Sequence, residues 1–294
     1  MPELPEVETT VRELEKKILN KKIVNVFIES PSLIKRPSFS IFKKEIIGKK
    51  IIKVWRKGKN VLINLYPEKI LLIHQKLTGH LLIGKWKKED KKWIPVSENP
   101  YLKEGVNLFL RILFLLDNGD FLALSDLRKF AKIELWNERE LLESKEFKEI
   151  GPDVLNISFE EFKERLRKKA KKPIKEVLMD QSVISGIGNI YSDEILWRAK
   201  IHPLKKIENL SEKDLKNVFL IMKKLLKKAI LLKGESISDY RTPSGEKGEF
   251  DKERKVYRRE KEKCYRCHHP IERIKIKSRS SYFCPFCQKY DPYH

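Results

Sequence analysis

Residues 1–20 read Met-Pro-Glu-Leu-Pro-Glu-Val-Glu-Thr-Thr-Val-Arg-Glu-Leu-Glu-Lys-Lys-Ile-Leu-Asn. Val7, Val11, Leu14 and Ile18 recur at four, three and four residues, the period of one helix face, and acids fill the first turn. A helix over residues 2–20 with a single apolar stripe must cover that stripe, and the runs that follow provide a sheet for it. Residues 23–29, 46–56, 61–66, 70–74, 108–116 and 121–126 are rich in β-branched and aliphatic side chains, several bounded by Gly or Asn-Gly turns. The segment 1–137 is therefore expected to be this helix on a β-sandwich or flattened barrel.

Beyond Trp136 the apolar period becomes helical, most clearly over residues 159–171, 174–180, 189–199 and 212–232. Residues 234–250 hold three glycines, Pro243 and many polar side chains, too little apolar surface for a core element. They are expected to form a mobile functional loop closing a helical segment, 138–251. Residues 252–294 form a third segment, strongly basic as far as residue 279 and containing all four cysteines. The fold class expected is α+β and multidomain.

The chain has 294 residues, of which 40% are hydrophobic, enough for two cores and a small appendage. No apolar run approaches the roughly 18 residues of a membrane helix. The 64 Lys and Arg against 42 Asp and Glu give a net charge of +22, which favours a polyanionic partner through counterion release. No signal-peptide core follows Met1, and the early acids oppose a transit peptide, so a reducing cytoplasm is expected.

Cys264 and Cys267 are separated by sixteen residues from Cys284 and Cys287. Paired Cys-x2-Cys knuckles with this spacing describe a tetrahedral four-thiolate zinc site at two hairpin turns, one structural ion with no open coordination position. His268 and His269 adjoin a complete ligand set and read as surface residues. Gly186-Ile187-Gly188-Asn189 opens the helix over 189–199, where free N–H groups suit a phosphate, although Asn189 would also serve as an ordinary cap. Lys171 and Lys175 are candidate phosphate contacts in a basic neighbourhood. If Met1 is removed, Pro2 carries a secondary α-amine, which titrates low enough to act as a nucleophile at neutral pH. Attack on C1′ of a nucleotide would expel the base and leave an iminium that favours strand elimination, with Glu3 moving protons. Proline at a helix start among acids is also ordinary helix initiation.

These features occur in one order, and that order resembles the bacterial formamidopyrimidine-DNA glycosylases. Met1 to Glu8 is similar to the start of that family, and Gly58-Lys59, residues 74–79, 126–130, 151–152, 186–194, 234–240, 245–250 and 264–288 continue the similarity over nearly the whole chain. The resemblance implies a helical domain with a helix-two-turn-helix element, a C-terminal zinc-finger hairpin and double-stranded DNA in the cleft between domains. It implies a monomer that removes oxidised purines, 8-oxoguanine and formamidopyrimidines, and then breaks the strand by β,δ-elimination. A nucleoid-associated, cytoplasmic location follows. Pro2 then matches the nucleophile, Glu3 the general acid-base, Glu6 a supporting acid that organises the amine, Lys59 a proton donor in β-elimination and Arg279 the δ-elimination arginine. Leu77, Arg128 and Phe130 match residues that enter the duplex as the lesion leaves. Without the resemblance, Lys59 reads as a turn lysine, and Leu77 and Phe130 as core.

Four positions depart from the family pattern by lacking glycine: Ala131, Ser278, Ser280 and Glu235. A histidine expected near residue 109 is absent, with Phe109 and Arg111 in its place. An endonuclease VIII-like enzyme for oxidised pyrimidines and a catalytically silent DNA-binding relative are the alternatives. Leu4, the Arg128-x-Phe130 pair and the loop after Gly234 point to the purine branch, and the joint presence of Pro2, Glu3, Lys59 and Arg279 argues against loss of chemistry.

Overall fold

The first helix begins where its start signals lie. In the computed structural model, which describes residues 1–237 and 239–290, α1 is Leu4–Ile18, and Glu3 and Glu6 form a reciprocal capping box at its start. Pro5 is tolerated because first-turn N–H groups have no helical acceptor. Leu4, Val7, Val11, Leu14 and Ile18 are buried, as the period requires. Asn20, at φ +65°, turns the chain out of the helix.

The chain divides into two compact units, Met1–Lys148 with Leu232–Asp251, and Glu149–Leu231 with Lys252–His294. The first unit contains, in chain order, β1 (Ile23–Ile28), β2 (Ile34–Arg36), α2 (Phe39–Ile46), β3 (Lys50–Lys57), β4 (Asn60–Tyr66), β5 (Lys69–His74) and β6 (His80–Gly84). It continues through β7 (Trp86–Glu89), β8 (Lys92–Pro95), β9 (Leu110–Leu116), β10 (Phe121–Ser125), β11 (Lys132–Asn137), α3 (Glu138–Glu143) and α4 (Lys145–Lys148). One sheet has the order β1-β9-β10-β6 and the other β2-β11-β5-β4-β3. All their pairings are antiparallel except β2 with β11.

Val26, Ile112, Phe114, Leu122 and Leu124 of the first sheet share one core with Ile51, Val61, Ile63, Ile73 and Ile133 of the second and with Val7, Val11 and Leu14 of α1. The opposite face of the first sheet is also covered, with Leu82, Leu113 and Phe121 packed with Trp86, Trp93 and Leu102. Burial on both faces is why β10 reads as a continuous apolar run rather than an alternating one.

The predicted strand over residues 46–56 is corrected: Ile46 ends α2, Gly48 turns the chain at φ +85°, and β3 starts at Lys50. The period of α2 is blurred because Phe42 and Ile46 are buried while Phe39 and Ile41 are exposed. The short strands β2, β6, β7, β8 and β11 were not anticipated, and the strand expected from residue 108 starts at Leu110. Residues 234–237 and 239–249 are irregular, as their composition implies, yet Tyr240, Arg241, Thr242 and Phe250 are buried and the segment belongs to the first unit. The expectation of a mobile loop is replaced by a bonded one: Ile83 donates to the Pro243 carbonyl at 2.8 Å and Asn99 to the Ser244 carbonyl at 2.7 Å.

The second unit contains α5 (Phe159–Arg167), α6 (Ile174–Met179), α7 (Asn189–Ala199), α8 (Glu212–Leu231) and the hairpin β12 (Glu272–Ile276) with β13 (Arg279–Phe283). The predicted helix over 159–171 stops four residues early, where Lys172 donates to the Lys169 carbonyl in a turn. No helix among the described residues is long and apolar enough to cross a membrane.

Candidate active site and nucleic-acid interface

α1 lies along β3 in a fixed direction. Near its end Asn20 N–H donates to the Ile51 carbonyl at 2.8 Å, and near its start Glu8 pairs with Arg56 at 2.5 Å. The start of the helix is therefore carried past Arg56 toward the Gly58-Lys59 turn that joins β3 to β4. Pro2 is buried, and Glu3, Glu6 and Lys59 are 2%, 1% and 7% exposed, so four sequence-predicted residues occupy the same end of the sheet. Gly58 supplies the positive φ, +58°, that this tight hairpin needs at its first central position. Lys59 is thus a turn lysine, but one turned away from solvent.

Glu6 joins three pieces of chain. Its Oε2 accepts the Glu3 N–H at 2.7 Å and its Oε1 accepts the Glu235 N–H at 2.8 Å. Tyr240 adds a bond from its hydroxyl to the Glu6 carbonyl at 3.0 Å, and burial together with the Glu6 charge raises the Tyr240 pKa, keeping it a donor. Gly234 is needed here: at φ +80°, a Cβ would fall 2.6 Å from Glu6 Oε1. The glycine lost at Glu235 leaves the neighbouring one indispensable. Sequence reasoning missed Tyr240, whose only signal is an aromatic residue in a polar loop.

Leu77, Arg128 and Phe130 stand on two turns held together by Asp126. Its carboxylate accepts from the Thr78 hydroxyl, from Arg128 N–H at 3.3 Å and from Ala131 N–H at 2.8 Å. The Arg128 N–H also reaches Thr78 Oγ1 at 3.1 Å. Lys76 and Lys129 both take left-handed backbone conformations, at φ +56°. Leu77 is 40% and Phe130 48% exposed, which excludes the core reading of both. Arg128 and Phe130 meet across a left-handed turn at Lys129 rather than along an extended segment, and the guanidinium lies 4.7 Å from the Phe130 ring centroid. Arg111, in the region of the missing histidine, donates from Nε to the Asp126 carbonyl at 2.8 Å.

In the second unit, Gly188 caps α7 and Asn189 is its first residue, so the capping role for Asn189 is set aside. Asn189 Nδ2 donates to the Ser280 carbonyl at 2.9 Å, tying α7 to the hairpin. The expected free N–H of Gly186 is occupied by Gln181 Oε1 at 3.0 Å. Lys171 is exposed and available to a polyanion. Lys175 is not: it is 1% exposed, and its ammonium pairs with the equally buried Asp193. Asp193 also accepts from the Ser281 hydroxyl at 2.6 Å and Tyr282 N–H at 3.0 Å, so this buried pair fixes the hairpin against α7. A pocket of about 270 Å³ lies between α6 and the hairpin, lined by Lys175, Glu176, Lys277 and Arg279 among others. Arg279, the first residue of β13, is exposed.

The four cysteine Sγ atoms lie within 4.8 Å of one another. Separations of 4.0 Å for Cys264–Cys287 and 3.4 Å for Cys267–Cys284 suit thiolates around one tetrahedral ion with bonds of about 2.3 Å. All four are free of disulfides. Trp197 of α7 donates to Cys264 Sγ at 3.4 Å, and Gln288 bridges Cys284 N–H at 2.9 Å to the Ile201 carbonyl at 2.8 Å. Glu194, fully buried, accepts the N–H groups of Lys255, Val256 and Tyr257, all at 2.9–3.0 Å, and fastens the approach to the finger. The buried acids Asp193 and Glu194 were missed as anchors. They lie inside the residues 186–194 block, where an Asp-Glu pair on a helix reads as surface.

Three family models match the chain: the formamidopyrimidine-DNA glycosylase N-terminal domain over residues 1–133, the formamidopyrimidine-DNA glycosylase H2TH domain over residues 150–241, and a zinc finger found in FPG and IleRS over residues 261–289. The formamidopyrimidine-DNA glycosylase of Lactococcus lactis is 37% identical, over 98% of this chain and all of its own. That of Desulforamulus reducens is 35% identical, over 98% of this chain and 99% of its own. Among solved structures, a complex of Lactococcus lactis Fpg with an abasic site containing DNA is similar with a TM-score of 0.85 and 33% identity, covering 98% of this chain and 100% of that one. A mutant of that protein in complex with a Fapy-dG containing DNA gives a TM-score of 0.85 and 34% identity at the same coverage.

Proposed function

The chain belongs to the formamidopyrimidine-DNA glycosylase family, and on that footing we propose that it excises oxidised purines from duplex DNA through the amine of Pro2 and then cleaves the abasic strand. The observation that carries this reading is the burial of Pro2, Glu3 and Glu6 at the start of α1, beside the Gly58-Lys59 turn. Removal of Met1 gives Pro2 a secondary amine in a place where water is scarce. Its attack on C1′ forms a C–N bond and releases the base with the electrons of the glycosidic bond. Glu3 is within one residue of the amine and serves as the general acid-base.

Lys59 takes part in β-elimination, and Arg279 in δ-elimination at the 3′ and 5′ phosphates. Leu77, Phe130 and Arg128 fill the space the damaged nucleotide leaves, since two exposed apolar tips and a stacked guanidinium can replace lost base stacking. Lys171 and Asn189 contribute to phosphate binding, and Lys175 supports the hairpin from within. Cys264, Cys267, Cys284 and Cys287 hold one zinc ion that folds the finger and takes no part in bond breaking.

The test is borohydride trapping on an oligonucleotide with 8-oxoguanine opposite cytosine, followed by proteolysis and mass measurement. DNA attached to the peptide that begins at Pro2 is the expected result. Attachment at Lys59 or another lysine would refute the mechanism, and a preference for thymine glycol would move the substrate to oxidised pyrimidines.

A further inference from the structure

Gln75 follows the last residue of β5 and is 1% exposed, yet among the described residues neither its Oε1 nor its Nε2 has a hydrogen-bond partner. A side-chain amide offers two donors and an acceptor, and native interiors leave such groups unpaired only rarely. The residue is not loosely held, because its carbonyl accepts the Gly79 N–H at 3.1 Å and closes the turn that presents Leu77.

Strand register shows what stands beside it. Asn60 pairs with His74, so the Gly58-Lys59 turn flanks the His74-Gln75 strand end on one side; Lys132 also pairs with His74, setting Ala131 on the other. The Lys59 charge reaches the His74 ring and helps to hold its pKa down, after burial and Lys76. The contacts of Asn20 with Ile51 and of Glu8 with Arg56 deliver the start of α1 to the same end of the sheet. The residue with the orphaned neutral amide thus ends the strand beside the Gly58-Lys59 turn, at the end of the sheet toward which α1 begins.

We propose that Gln75 is a substrate-positioning residue whose amide binds the sugar oxygen O4′ of the extruded nucleotide, most strongly after the ring has opened. This rests on the Pro2 amine chemistry above. When the iminium forms, the C1′–O4′ bond breaks, its electron pair stays on O4′, and a proton relayed from the amine through Glu3 makes O4′ a hydroxyl. The closed ring oxygen only accepts; the hydroxyl both donates and accepts. Oε1 and Nε2 together match the hydroxyl, whereas the charged neighbours Glu3, Glu6 and Lys59 each match one half of it.

The experiment compares the full-length, zinc-loaded wild type with Gln75→Leu, a change of similar volume without the amide. Binding is measured to duplexes carrying a closed tetrahydrofuran abasic analogue and a borohydride-reduced, open-chain abasic site. The expected result is a loss of about tenfold for the open-chain duplex, with the tetrahydrofuran duplex bound nearly as before and the melting temperature unchanged or raised. Base excision in a single turnover falls by a similar factor. Should Gln75→Leu fail to fold, Gln75→Met gives the same comparison. Wild-type selectivity between the two duplexes in a folded variant would overturn the inference alone. A wild type that traps no DNA through Pro2 would overturn the proposed mechanism and this inference with it.

Discussion

Glu6 Oε1 accepts the backbone N–H of Glu235 at 2.8 Å, so the helix that carries Pro2 and the loop after Gly234 are joined by one carboxylate. The same group accepts the Glu3 N–H at 2.7 Å through its other oxygen. Glu6→Ala leaves two donors without this acceptor, at a cost of about 1–3 kcal/mol for each that stays buried. The expected outcome is a lower melting temperature, faster proteolysis within residues 234–250 and impaired base excision. Glu6→Gln keeps one acceptor and should lie between. Excision at the wild-type rate by Glu6→Ala would show that the loop and the amine are positioned by other contacts.

Leu77 and Phe130 are nearly half exposed, so their truncation should cost the fold little. Leu77→Ala and Phe130→Ala are expected to change the melting temperature by no more than a few degrees. Affinity for lesion-containing DNA should fall more than affinity for undamaged duplex, because extrusion costs a few kcal/mol that the apolar tips help to offset. Fluorescence anisotropy on matched oligonucleotides decides the matter, and equal losses on both would remove the wedge assignment.

Lys175 and Asp193 behave in opposite ways to surface charges. Each is 1% exposed, and breaking a buried pair leaves an uncompensated ion at about 3–5 kcal/mol. Asp193→Ala and Lys175→Ala should each lower the urea midpoint strongly, while the double change Lys175→Met with Asp193→Leu should recover much of it. Small effects of the single changes, combined with a reduced salt dependence of DNA binding, would return Lys175 to direct phosphate contact.

Metal removal should act on folding. A chelator that strips zinc, or Cys264→Ser, is expected to unfold the finger, to lose one ion per chain by metal analysis and to abolish tight DNA binding. Full incision by demonstrably zinc-free protein would contradict a structural ion.

Burial holds His202 down to about 4, and burial with the charges of Lys76, Lys59 and Lys132 holds His74 down to about 3, both from an ordinary 6.5. The unfolded imidazoles take up protons at higher pH than the folded ones. Stability is therefore complete above pH 6.5 and declines as pH falls below it, by about 1.4 kcal/mol per pH unit for each histidine. Urea titrations from pH 7 to 5 should show this decline, with a shallower slope in His202→Gln. A wild-type slope in that variant would show that other groups govern the acid sensitivity.

The sequence by itself determined the features that repeat or that need special chemistry. The 3.6-residue period of α1, the cysteine spacing and the exact limits of α7 from Asn189 to Ala199 are local properties, written in neighbouring residues. The order of motifs led to the family and to Pro2, Glu3 and Lys59. Tertiary structure decided what composition could not. Lys175 looked like one more surface lysine until Asp193, eighteen residues away, closed on it. Residues 234–250 looked loose because their stabilising partners, Glu6, Ile83 and Asn99, come from distant parts of the chain. Arg128 and Phe130 meet through a left-handed residue whose identity, lysine, gives no warning of that conformation. Periodicity records which face a residue turns inward, whereas burial of a charge or pairing of a loop depends on what arrives from elsewhere, and that is settled only when the chain has folded.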